Sequence, residues 1–213
     1  MRPIVHGPDT PRSIDAFGVR WESAVSAHRP VSIDDHGYLR EIARYSNIEP
    51  KELGVFAVSF TLAPDAELDR LLGLVHALPY LPSELAARLL GRSALRHRLR
   101  AFHASQPALE TGLREAAFTW IDPFLVEGTL ARTLYGYGMY RHFHDDHSAD
   151  EAASHARALL ESTVGASTDT VVALGSRLPW GAWFDRHSCT DQSYLLVDRQ
   201  TRRGLLLALS HSD

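Results

Sequence analysis

The richest concentration of reactive side chains in this chain is Arg141-His142-Phe143-His144-Asp145-Asp146-His147. Its three imidazoles and two carboxylates supply the nitrogen and oxygen donors that Zn²⁺, Fe²⁺ or Mn²⁺ accept. In an extended segment His142 and His144 point to one side, and His147 completes a three-ligand set with a position open for water or substrate. A polar turn competes with this reading. Ser148 and Glu151 have capping-box spacing, which starts a helix just after His147 and uses Glu151 on the backbone. Asp145 and Asp146 would then favour the positive end of that helix without any metal.

A second group lies in Trp180-Gly181-Ala182-Trp183-Phe184-Asp185-Arg186-His187-Ser188-Cys189-Thr190-Asp191. Strand-like alternation would align Asp185, His187, Cys189 and Asp191 beside Trp183, a row of acid, base and thiol. An aromatic wall raises a carboxylic acid pKa and lowers an imidazole pKa, the tuning that acid-base catalysis needs. Asp185, His187 and Asp191 are therefore candidate acid-base groups. Cys189 is a candidate nucleophile, although residues two apart on a strand stand roughly 7 Å from each other, which makes His187 a better base or ligand than a partner for Cys189. A lone cysteine also serves as a small buried hydrophobe.

Tyr135-Gly136-Tyr137-Gly138-Met139-Tyr140 runs directly into the histidine cluster. This alternation could line a flat ligand pocket, including haem with His142 or His144 as axial ligand, or form a bent helix end. The expected small-molecule pocket is lined by Tyr137, Tyr140, Trp180 and Trp183. A further feature is the spacing of Arg88, Arg92, Arg96 and Arg100 at intervals of four, with no acid between 85 and 109. On one helix this is a basic stripe for phosphates or an acidic partner, or a solvated face paired with acids elsewhere.

The elements that must position these groups are read from periodicity and caps. Ser32 can cap a helix to about Ser46, with Tyr38, Leu39, Ile42 and Tyr45 on one face. Pro64-Asp65 opens a helix through Leu68, Leu71, Leu72 and Val75. Further helices follow from Glu84, from Ser93 to about His103, from Pro107 to about Trp120, and after Asp122-Pro123. Ser148 starts the next, to about Ser162. Residues 54–62 could be a buried strand. TVVALGS (170–176), SYLLVDR (193–199) and GLLLALS (204–210) read as strands, the last two forming a hairpin. Residues 1–31, with four prolines, read as an irregular N-terminal arm with a short helix around Trp21 to Ala27. Residues 32–213 then form a single α+β domain, a mainly helical body with a small C-terminal antiparallel sheet.

Composition narrows the class. With 213 residues, 45% hydrophobic and 23% charged, the chain is neither disordered nor fibrous. One cysteine forbids an internal disulfide and suits a reducing compartment. No apolar run approaches the ~20 residues that cross a bilayer, and no secretory core is visible near the N-terminus, so a cytoplasmic location is expected. A net charge of −4 disfavours nucleic acid as partner. Of the 22 basic residues only Lys51 is lysine, a bias that first reflects codon usage, whereas 12 histidines, four of them within 142–155, concentrate the functional signal.

These features suggest a cytoplasmic small-molecule enzyme of specialised metabolism. It would use metal-assisted or His/Asp acid-base catalysis of lyase, cyclase or hydrolase type, with His142, His144 and His147 holding Zn, Fe or Mn. The alternative is a non-enzymatic regulator, immunity-type partner or accessory subunit that binds an acidic surface through Arg88, Arg92 and Arg96.

Overall fold

Along the hydrophobic strands of this protein, successive side chains enter two different cores. In the computed structural model, which describes residues 13–46, 54–102, 105–137, 142–165, 168–184 and 191–210, six strands form one antiparallel sheet. They are β1 (Val25–Pro30), β2 (Val55–Leu62), β3 (Thr119–Ile121), β4 (Val171–Ser176), β5 (Gln192–Asp198) and β6 (Arg203–Leu209), in the spatial order β1-β2-β6-β5-β4-β3. Leu195, Val197, Leu206 and Ala208 face one side, and Tyr194, Leu196, Leu205, Leu207 and Leu209 face the other. Burial on both faces explains why β5 and β6 read as unbroken apolar runs instead of alternating ones.

Each face is closed by a helical layer. The first layer contains α2 (Ala66–Leu74), α3 (Leu81–Leu90), α4 (Ser93–Arg96) and α5 (Gln106–Glu115), joined by Ile14, Phe17, Trp21, Trp180 and Phe184. The second contains α1 (Gly37–Tyr45), α6 (Val126–Tyr135) and α7 (Ala149–Thr163). Local chemistry sets several boundaries. Asp65 caps α2 by accepting the amides of Glu67 and Leu68, Ser105 caps α5 at Ala108, and Ser148 with Glu151 closes a reciprocal capping box on α7.

The mixed α+β character stands, but the small C-terminal sheet does not. The sheet draws strands from the whole length of the chain and forms the middle layer of a helix-sheet-helix sandwich. Two strands escape sequence periodicity because both lie at the edges, beyond the helical cover. Where a short helix around Trp21 to Ala27 is expected, a 3-10 turn at Trp21–Ser23 leads into β1, of which only Val25 is fully buried. The helix expected to run from Pro107 to Trp120 stops at Glu115, and residues 119–121 become β3. Ala117, at φ 50°, turns the chain between them.

Candidate functional site

The histidine cluster lies between α6 and α7. Residues Phe143–Asp145 form a 3-10 turn, not an extended strand, and His142 precedes it as the N-cap. The Asp145 amide donates to the His142 carbonyl at 3.1 Å, and the Asp145 carboxylate accepts the His142 amide at 2.7 Å. This reciprocal cap holds both residues over one turn. The His142 and His144 rings still reach the same side, stacked with centroids 4.8 Å apart and an interplanar angle of 7°. Tyr135, at the end of α6, flanks His144 with a centroid separation of 5.4 Å.

Asp145 faces both rings, its oxygens 3.8 Å from Nδ1 of His142 and 3.3 Å from Nδ1 of His144. One ligand atom from each of His142, His144 and Asp145 lies within 4.8 Å of the others. Tetrahedral ligands at about 2.1 Å from a metal stand roughly 3.4 Å apart. The widest separation in the group would therefore close by up to about 1.4 Å around an ion, a movement within reach of half-exposed side chains. Two imidazoles and one carboxylate are a donor set suited to Zn²⁺, Fe²⁺ or Mn²⁺, with coordination positions left open.

His147 is placed elsewhere. It stacks on Phe143 with centroids 4.3 Å apart, and its Nδ1 meets Glu151 at 3.5 Å. Among the described residues, the buried Nε2 of His147 has no hydrogen-bond partner. Phe143 sits in the core beneath, so the ring stack turns His147 away from the exposed trio. The member that sequence reasoning did not choose is Asp145, although it stands next to the His-x-His pair. Its signal is the i, i+3 cap to His142, which becomes readable once a 3-10 turn replaces the extended segment.

The aromatic candidates divide between the two cores. Trp180 stacks on Phe102 with centroids 4.2 Å apart and donates from Nε1 to Ser193 at 2.7 Å. Trp183 packs against Phe56, Phe102 and Phe184 on the same face of the sheet. Tyr137 belongs to the opposite core, where its hydroxyl donates to the Ser210 carbonyl at 2.9 Å. The sheet separates Tyr137 from the two tryptophans, so these three do not line one pocket. Tyr140 lies outside the described residues.

Asp185, His187 and Cys189 also lie outside the described residues. Asp191 is buried at the start of β5 and accepts from the Ser210 hydroxyl at 2.8 Å. Burial, followed by the charge of Asp191, pushes the Tyr137 phenol well above its usual range. Tyr137, Ser210 and Asp191 thus form a buried polar group where β5 begins and β6 ends.

The arginine series does not lie on one helix. α3 ends at Leu90, Arg92 is the N-cap of α4, and Arg96 closes α4. Arg88 pairs with Asp15 at 2.7 Å. Arg92 is buried and reaches Glu22 at 2.6 Å and Glu110 at 3.0 Å. Arg96 is exposed. Two of the three proposed contact residues are therefore bound within the fold. Among the described residues, no helix is long and apolar enough to cross a membrane.

In comparisons with known proteins, no family model, curated protein or solved structure matches this chain.

Proposed function

We propose that this protein is a metal-dependent enzyme acting on a small molecule, of hydrolase, lyase or cyclase type. Its divalent cation would be held by His142, His144 and Asp145. The observation that carries this reading is the convergence of two stacked imidazoles and one carboxylate, with ligand atoms within 4.8 Å, on a turn fixed by a reciprocal cap. When bound, a divalent ion with three protein ligands supplies an acidified water or a Lewis acid for carbonyl or phosphoryl oxygen.

The chain's own contribution is positional. The backbone of the 3-10 turn sets the spacing of the two rings, and Asp145 adds negative charge between them. Deprotonated ligands are required, and metal uptake should release protons. The acid-base groups assigned to this reading are Asp185, His187 and Asp191, with catalysis placed in cytoplasmic specialised metabolism.

Elemental analysis and calorimetric titration with Zn²⁺ and Mn²⁺ test the proposal. About one equivalent should bind, and H144A and D145N should each weaken binding tenfold or more. Turnover of a small ester, phosphoester or elimination substrate should stop on chelation and in H144A. A purified protein that binds Zn²⁺ and Mn²⁺ no better than H144A does would overturn the metal assignment.

A further inference from the structure

α7 is too short to cover the whole sheet. It ends at Thr163, leaving the corner of β1, β2 and β6 open as a groove of about 320 Å³. Cross-strand pairing sets its floor: Ala27 lies opposite Thr61 and Thr61 opposite Arg203, while Arg29 lies opposite Ser59. Directly paired residues share a face, so Arg29, Ser59, Thr61 and Arg203 all face the side that α7 covers elsewhere. Thr163 forms the wall.

The charge in this groove is one-sided. Arg29 donates from Nε to the Ser59 hydroxyl at 3.3 Å, and Arg203 donates to the Ser162 carbonyl in the last turn of α7. Among the described residues, neither guanidinium has a carboxylate partner, and no acid lines the groove. This contrasts with Arg88, Arg92, Arg114, Arg157 and Arg202, all paired with acids. Strand spacing places the Arg29 and Arg203 Cα atoms about 12 Å apart, so that two long side chains can converge on a ligand between them. The other face of β1 supplies no counter-charge, since His28 there meets His97 at 3.2 Å beside Arg98.

We propose that this groove is a binding site for a phosphorylated small molecule, with Arg29 and Arg203 clasping the phosphate and the hydroxyls of Thr61 and Ser59 beneath it. Guanidinium forks match phosphate oxygens, and both arginines stay charged at any physiological pH. The hydroxyls donate as well as accept. The groove is larger than an orthophosphate ion, which leaves room for an organic portion along β1. The site is distinct from the His142-His144-Asp145 trio. That trio precedes the first turn of α7 and the groove adjoins its last, about 22 Å away along a 15-residue helix.

The test is a titration followed by backbone amide NMR shifts and calorimetry, with pyrophosphate, inorganic phosphate and malonate as probes. Pyrophosphate should give saturable shifts at Arg29, Thr61, Thr163 and Arg203, with binding weakened by salt. R29A and R203A should each lower its affinity about tenfold or more, and R132A should leave it unchanged. Two results would overturn the proposal: pyrophosphate affinity equal in R29A, R203A and the unaltered protein, or malonate binding at least as tightly as pyrophosphate.

Discussion

Replacing Arg92 with alanine distinguishes a solvated basic stripe from a structural clamp. The guanidinium donates to the Arg88 carbonyl at 2.7 Å, Glu22 at 2.6 Å and Glu110 at 3.0 Å, and its side chain is 5% exposed. Glu22 is 80% exposed and can rehydrate, so its loss costs about 0–1 kcal/mol. Glu110 is 16% exposed and keeps Arg114 at 3.5 Å, which limits that loss to the lower part of the 1.5–3 kcal/mol range for charged hydrogen bonds. The Arg88 carbonyl adds about 1 kcal/mol. R92A should therefore lose about 3 kcal/mol, a Tm fall of roughly 6–12 °C for a chain of this size. Urea unfolding followed by far-ultraviolet circular dichroism measures it. R96A, which removes an exposed side chain, is the control and should stay within about 0.5 kcal/mol. The clamp argument fails if R92A also stays within that margin.

Other substitutions probe the sheet and its hairpin. A Cβ on Gly204 would overlap the ring of Phe60, its cross-strand partner in the core, so G204A should cost about 1–3 kcal/mol in denaturant unfolding. Asp198 is buried and accepts from the Thr201 hydroxyl at 2.6 Å and the Gln200 amide at 2.9 Å. Burial raises its pKa, but hydrogen bonds from Thr170, Thr201 and Gln200 outweigh burial and hold it below the usual value. Its stabilising contribution is present above the unfolded carboxylate pKa and is lost as pH falls through the folded one, so D198N should flatten acid unfolding as well as lower Tm at pH 7. Burial and a 2.6 Å hydrogen bond to Asp146 push the Tyr45 phenol up to about 12. That contribution is complete below about pH 10 and is lost between pH 10 and 12. Y45F should show a smaller fall in Tm across that interval.

Helix starts were the most readable part of the fold because their causes are local. Asp65 and Ser148 bond to amides two or three residues ahead, and such spacing is visible in a linear chain, whereas the helix expected from a Ser32 cap starts at Gly37 behind His36. Helix ends were less readable. Residues 97–102 continue a helical pattern in sequence but form turns after α4 stops at Arg96. The aromatic segment likewise depends on contacts distant in the chain. Tryptophans beside polar residues suit either a pocket or a core, and only contact with Phe102, contributed from near α4, decides for the core at Trp180. In the histidine cluster the choice of ligands depended on local geometry. A 3-10 turn brings Asp145 to the two rings and leaves His147 on Phe143.

Composition and short-range pattern determined that this chain builds a mixed α+β protein, where most helices begin, and that its candidate metal-ligating side chains are concentrated within 142–147. These properties depend on neighbours a few residues apart. The tertiary structure decided the size of the sheet, the pairing of β1 and β3 at its edges, the burial of Arg92 and the placement of Arg29 and Arg203 on one groove. Each joins residues far apart in the chain, such as Arg29 with Ser59 and Thr61 with Arg203. Edge strands carry little hydrophobic periodicity, and a charge reveals its partner only when the layers have packed.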